Sequence, residues 1–378
     1  MTEYRAAPLT IFIFMTILST GYDTLLFARP RLYELLLKQV PEDKILMGKR
    51  VLRTEENEDQ VVIHCADNSI YQGDILIGAD GAHSGVRQSL YKRLEEKNLL
   101  PNEDTKSFSI GHTLMVGVAE LKDLEKYPHL KDPHSVMNHV IGGDNKAWSV
   151  CNVPDGQVCW GLVYQYRTVA ESREQQFRNS EWGSESNEAM IKEFRHLPCV
   201  YGGTMGDLID ATPKDFTSKV FLEDKIFTTW FHGRTVLIGD ACHKMLPWAG
   251  QGAINAMQDA VILANCLYDL TDASRSSITA AFQDYYKQRY SQAKAMVESS
   301  RLISRAIAGQ HLWERALRHA LLHYVPDTMQ QWNLAKTAEY RPQITFLPLI
   351  KKRGTGPVLP QKPSKRYSEE QAKKNVAV

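Results

Sequence analysis

The sequence predicts an α/β protein in which a mostly parallel sheet with helices is interrupted by an inserted antiparallel sheet. Three observations carry that class. Thr235 to Ile238 is an uninterrupted β-branched and aliphatic run ended by Gly239 and Asp240, and Gly250 and Gly252 then open a long apolar segment reaching Leu267. Strand, acid, loop, glycines, helix is the order of a nucleotide-cofactor site, because a carboxylate at a strand end meets sugar hydroxyls and a helix start offers free N–H donors. Asp74 to Ile77 reads as a second such strand, running into Gly78-Ala79-Asp80-Gly81. Between Asp104 and Thr228 the pattern turns into consecutive β-like segments joined by short turns, which argues for antiparallel pairing.

Composition narrows the classes of partner. With 45 Lys and Arg against 44 Asp and Glu the net charge is +1, so no nucleic acid is implied. The length of 378 residues is enough for more than one domain. Cys65, Cys151, Cys159, Cys199, Cys242 and Cys266 include no pair at metal-ligand spacing. They read as reduced core residues, and no metal is expected.

Taken in order, residues 1–20 form an atypical apolar start. Leu9 to Leu18 is too short to cross a bilayer as a helix. With Arg5 before it and Ser19-Thr20-Gly21 after it the run has the outline of a signal peptide, though Glu3 leaves the leading region poorly positive, and the other reading is a buried strand or a replaced chain start. Arg29 precedes Pro30 and an amphipathic run of Leu32, Leu35 and Leu36, with the proline well placed for a first helical turn. Val61 to Ile63 and Ser69 to Tyr71 flank Ala66-Asp67-Asn68 as a hairpin. After Asp80, Ser84 suits a helix cap, and Arg87 suits either a carboxylate partner or a structural role.

The inserted region contributes Ile110 to Leu121, Val136 to Ile141, Ala147 to Val153 and Val158 to Tyr166, with Pro154-Asp155-Gly156 the clearest turn. Trp160, Leu162, Tyr164 and Tyr166 fall on one face by period two, either a wall for a bulky apolar substrate or simply core. Tyr164 is the candidate catalytic phenol, placed to orient a substrate. A short helix over Glu188 to Phe194 and a return segment over Phe216 to Thr228 follow. Beyond the central motif, Ser277 to Gln310 and Trp313 to Val325 read as helices, and residues past Pro348 as a basic, disordered tail. That tail's lysine runs suit weak contact with anionic lipid.

Two stretches carry a family resemblance. GDACHKMLPWAGQGAINAMQDA resembles the GDAxH…GQGxNxAxxDA motif, and GADGAHSGVR the GADGxxSxVR motif, of FAD-dependent monooxygenases of the p-hydroxybenzoate hydroxylase type. GYDTLLFARPRLYELLLKQVPEDKILMGKRVLRTEE and YRPQITFLPL resemble fungal epoxidases and hydroxylases of indole-diterpene and meroterpenoid pathways, over about Tyr22 to Leu349. The resemblance implies the FAD-binding, p-hydroxybenzoate hydroxylase-like fold. No GxGxxG precedes Gly21, so the fold is expected to be N-terminally incomplete.

The expected layout is an FAD-binding domain in two parts, 21–103 and 229–300, around a substrate domain at 104–228, then a helical segment at 301–349 and the tail at 350–378. The resemblance carries cofactor roles to Arg29, Asp80, Asp240, Pro247, Gly250, Gln251, Gly252 and Ala253. Two buried aspartates, Asp80 and Asp240, are expected to converge on one dinucleotide, with Gly250, Gln251 and Gly252 offering N–H groups to the flavin. Cys242 and His243 are read as packing.

The implied function is FAD-dependent insertion of one oxygen atom from O2, by epoxidation or hydroxylation, into an apolar prenylated or terpenoid secondary metabolite, with NADPH or NADH as reductant. The expected location is cytoplasmic or peripheral to an intracellular membrane. Two alternatives stand beside it: a shortened, non-catalytic relative that does not hold FAD, and a flavin-dependent reductase or halogenase.

Overall fold

The structure is a computed structural model that describes residues 7–11, 21, 29–121, 125, 127–131, 135–142, 145–153, 156–166, 168, 171, 184–308, 319, 324 and 326–376. The chain divides into two compact units. The first comprises Met1–Lys44, Ile110–Glu223 and Arg305–Lys336, and the second Ile45–Ser109, Asp224–Ser304 and Thr337–Val378. The insert expected at 104–228 overlaps the middle segment of the first unit. Residues 21–44, expected with the flavin domain, cluster instead with the insert, and 301–349 is shared between the units.

The chain opens with strand β1 (Ala7–Ile11) and helix α1 (Arg29–Leu37), both in the first unit. It then enters the second unit with β2 (Val51–Glu56), β3 (Val61–Cys65) and β4 (Ile70–Gly73), an antiparallel meander. The expected hairpin is present, its turn made by Asn68 at φ +65° and by Asp67 accepting the Ser69 N–H. Strand β5 (Leu76–Gly78) and helix α2 (Gly85–Glu96) follow. As expected, Ser84 caps α2, its hydroxyl accepting the Arg87 N–H at 2.9 Å.

The first unit resumes with β6 (Ser109–Glu120), β7 (Met137–Ile141), β8 (Lys146–Val153) and β9 (Gln157–Gln165). Helix α3 (Ser184–Phe194), helix α4 (Met205–Asp210) and β10 (Thr217–Ile226) complete it. Its strands lie in the order β1-β7-β8-β9-β6-β10, and the pairs β1–β7, β7–β8, β8–β9 and β6–β9 are antiparallel. The apolar start is therefore a sheet strand over Ala7–Ile11.

One face of this sheet is core, where Trp148, Trp160, Leu162, Met115, Phe194 and Met205 are buried together. Each such side chain contributes about 1.5–3 kcal/mol of transfer free energy. The Trp160 ring occupies the space above Gly117, where a Cβ would stand 2.3 Å from it, and its Nε1 donates to Thr212 Oγ1. Of the two readings of the aromatic stripe, substrate wall or core, Trp160 and Leu162 take the second.

The second unit continues with β11 (Phe231–His232), β12 (Thr235–Leu237), β13 (His243–Lys244), helix α5 (Gly252–Tyr268) and helix α6 (Arg275–Ala308). The expected parallel sheet is small, β11-β12-β5, with β12 and β5 parallel and β11 antiparallel. All of β12 is buried, as its unbroken aliphatic run requires. Helix α5 is not buried all round: Ile254 and Met257 are exposed at 41% and 42%, and its covered face is Asn255, Asp259, Ile262, Leu263 and Cys266.

Helix α7 (Asp327–Thr337) and helix α8 (Lys365–Val376) close the chain. The helix expected over Trp313 to Val325 lies outside the described residues, apart from 319 and 324. The disordered tail expected at 350–378 is corrected by the structure. The Asp269 carboxylate, at the end of α5, accepts the N–H groups of Lys365 and Arg366 and the Ser364 hydroxyl. An acid at a helix N-terminus satisfies its orphan donors and its dipole together, which the tail's composition does not reveal.

Candidate cofactor site

The register Leu237↔Gly78 aligns β12 with β5 and sends both motif acids out from the carboxyl ends of adjacent parallel strands. That is the ligand-binding edge of an open α/β sheet. Two glycines make the close packing there. A Cβ on Gly78 would lie 2.7 Å from Leu237 Cδ2 and 2.9 Å from Val86 Cγ1, and Gly239, at φ +59°, faces the Ala256 Cβ at 3.0 Å. The end of β5 can therefore pack directly on β12 and α2, and the turn after β12 on α5, without an intervening side chain.

The acids are not buried, contrary to expectation. Asp80 is exposed and accepts the Val86 N–H at 3.1 Å, steadying the first turn of α2. Asp240 is half-buried, with Oδ2 at 2.6 Å from the Lys244 ammonium. Solvent-facing carboxylates can exchange such partners for a sugar hydroxyl, which a sealed one could not.

Between Asp240 and α5 runs a turn over Pro247–Ala249, closed by Gly250 at φ +63°. Gly250 donates its N–H to the Pro247 carbonyl at 2.9 Å, so it is not the donor that the motif suggested. The Gln251 carbonyl accepts the Asn255 N–H as the first intrahelical bond, leaving Gly252, Ala253 and Ile254 without intrahelical acceptors. Gly250, Ala253 and Ile254 are exposed, and a Cβ at Gly250 or at Gly81 would meet nothing within 4 Å. The helix start is thus an open, positively poised surface. Pro247 is exposed at its edge.

The most enclosed group here was missed by sequence reasoning. Asp259, fully buried in α5, accepts the Gly239 N–H at 2.8 Å, lies 2.5 Å from His243 Nε2, and accepts from Arg289 Nε of α6 at 2.7 Å. Arg289 also reaches Asn255 Oδ1 at 2.9 Å. Burial alone would raise the Asp259 pKa, but His243 and Arg289 outweigh it and hold the carboxyl below its usual range. His243 also packs on the Trp230 ring, 5.2 Å between centroids. Cys242, His243 and Asp259 bring ligand atoms within 4.8 Å of one another, yet the Arg289 guanidinium already supplies the positive charge. Cys242 is core, its thiol pushed up by burial.

Arg87 settles on the structural side of its two readings. Its guanidinium donates to the carbonyls of Ala241 and Ala82 at 2.9 and 2.6 Å and covers the Phe227 ring. One motif is thereby bolted to the turn of the other. Arg29, exposed at the start of α1, and Tyr164, half-buried in β9 with its ring edge-on to Tyr166, both belong to the first unit.

The residues at the strand ends fit a flavin dinucleotide. They offer carboxylates for sugar hydroxyls, positive-φ glycines where a flat group can approach backbone, and unpaired N–H groups at a helix start.

A family model described as "FAD binding domain" matches residues 205–300. The FAD-dependent monooxygenase esdpE of Penicillium shearii is 27% identical over 82% of this chain and 62% of its own length. The FAD-dependent monooxygenase paxM of Penicillium paxilli is 28% identical over 89% and 69%. The chain thus spans about two thirds of the length of these relatives. Among solved structures, Klebsiella pneumoniae HpxO complexed with FAD and uric acid is similar with a TM-score of 0.58 at 24% identity, over 82% of this chain and 71% of that one. A salicylate hydroxylase substrate complex gives 0.55 at 23%, over 81% and 75%. The fold is that of the p-hydroxybenzoate hydroxylase-like flavoproteins, and the chain is similar to fungal FAD-dependent monooxygenases.

Proposed function

We propose that this chain is an FAD-dependent monooxygenase that uses NADPH or NADH and O2 to insert one oxygen atom, by epoxidation or hydroxylation, into an apolar prenylated or terpenoid secondary metabolite. The observation that carries the reading is the emergence of Asp80 and Asp240 from adjacent parallel strands, with the open start of α5 following in the same motif. The substrate class rests on the resemblance to fungal pathway enzymes.

When bound, FAD supplies the redox chemistry, accepting hydride from the nicotinamide and delivering oxygen from O2. The chain's part is binding and electrostatics. Asp240 accepts hydrogen bonds from a sugar hydroxyl in exchange for Lys244, and Asp80 supports the same ligand and the approach of the nicotinamide cofactor. The N–H groups of Gly252 and Ala253, with the dipole of a 17-residue helix, stabilise negative charge on the ring side of the cofactor. Gln251, Gly250 and Pro247 shape the turn that brings the backbone close. Arg29 approaches the cofactor, and Tyr164 orients the substrate. No helix among the described residues is long and apolar enough to cross a membrane, and any membrane contact is proposed as peripheral.

Flavin titration tests the reading. Full-length protein should quench FAD fluorescence on binding, and Asp240→Ala should weaken that binding by about ten- to a hundredfold, the loss of charge-assisted hydrogen bonds. Wild-type protein that never takes up FAD overturns the proposal, and an unchanged affinity in the variant overturns the role of Asp240. NADPH oxidation that continues unchanged without O2 would mark a reductase instead.

A further inference from the structure

Away from the flavin motifs, the C-terminal segment of the second unit folds around a pocket of about 600 Å³, within the size range of small-ligand sites. Its wall includes Leu347, Leu349 and Leu359, one cation, Arg353, and no Asp or Glu. The polar groups on it divide into two kinds. The Gln361 side-chain amide accepts the Gln343 N–H and donates to the Gln343 carbonyl, and Ser364 donates to Asp269. Thr345 is different. Only 8% exposed, it donates its N–H to Asn265 Oδ1 at 2.8 Å, while its buried Oγ1 has no hydrogen-bond partner.

The cation is equally unusual. Arg353 donates to the Arg341 carbonyl, and Arg341 in turn donates to the carbonyls of Arg353, Gly356 and Pro357, with its Nε buried and unpartnered. No carboxylate among the described residues forms an ion pair with either guanidinium. Burial and the neighbouring Arg341 both push the Arg353 pKa down, the signature of a cation short of countercharge. A buried hydroxyl and a partly covered guanidinium, held beside an aliphatic wall, favour an anion attached to an apolar chain.

We propose that this pocket binds a small anionic amphiphile, an aliphatic or isoprenoid chain ending in a carboxylate or phosphate, with its head at Arg353 and Thr345 and its chain along Leu347, Leu349 and Leu359. The site is separate from the strand-end acids and does not depend on the flavin reading.

Isothermal titration of the full chain with decanoate, geranyl phosphate, decanol and inorganic phosphate tests it. At least one of the two charged amphiphiles should bind one to one below its micellar concentration, with decanol and phosphate weaker by about tenfold or more. Which charged probe binds more tightly identifies the head group, and either order upholds the site. Arg353→Gln should weaken the amphiphile about tenfold. Thr345→Val, nearly isosteric, should keep the melting temperature and still weaken binding. If Arg353→Gln fails to fold, Thr345→Val decides. The proposal is overturned if neither amphiphile binds, if decanol binds as tightly as decanoate, or if Thr345→Val binds like the wild type.

Discussion

Asp259 shows what one carboxylate does when three elements converge on it. It joins the backbone at the end of β12, His243 of β13 and Arg289 of α6 from a position with no solvent exposure. Asp259→Asn leaves the Arg289 guanidinium buried beside a neutral amide, which should cost about 3–5 kcal/mol, because a buried charge that loses its partner keeps its desolvation penalty. Chemical denaturation measures it, and a loss below about 1 kcal/mol would show the cluster to be idle. The strand-end acids and glycines were legible from the motifs, since each sits beside a break in hydrophobic pattern. Asp259 was not. It is one acid inside an apolar helix, its partner lies 30 residues on, and only its i,i+4 spacing from Asn255 hinted that the covered face was polar.

At the scale of elements, the sheet of the first unit was readable almost to the residue. Alternating or continuous apolar runs give β6 to β9 within a residue or two of their bounds. Periodicity could not say what covers the stripe, so Trp160 and Leu162 could be read as substrate wall until the packing showed them to be core. The same burial sets a pH response. His112 in β6 is 6% exposed, and burial lowers its pKa to about 4. The unfolded chain, with a histidine pKa near about 6.5, therefore takes up the proton first as pH falls. Stability is full above about 6.5 and declines toward pH 4, by on the order of 3 kcal/mol from this residue. His112→Phe should flatten that part of the stability profile. A slope that survives the substitution removes His112 as its source.

For the whole chain, the two units are assembled from non-consecutive segments. The grouping of Met1–Lys44 with Ile110–Glu223, and of Thr337–Val378 with the other unit, left no local trace in the sequence. Contacts such as Tyr268 stacked on Phe346 at 4.2 Å, or Asp269 capping α8, join residues that composition treats separately. Deleting 360–378 should accordingly lower the melting temperature by about 2 °C or more, because the cap of α8 and the Tyr268–Glu370 and Arg366 contacts go with it. A truncated chain that melts with the full-length protein would return the tail to disorder.

The pairing of β12 with β5 has a further consequence, for synthesis. Arg234, one residue before β12, holds the Asp74 carbonyl from 160 residues away. On the ribosome, β5 must therefore wait with an open edge while the entire insert is made, on the order of ten seconds or more at ordinary elongation rates. Slower translation or chaperone depletion should thus increase aggregation of nascent chains arrested before residue 235 and spare those arrested after the helix that follows it.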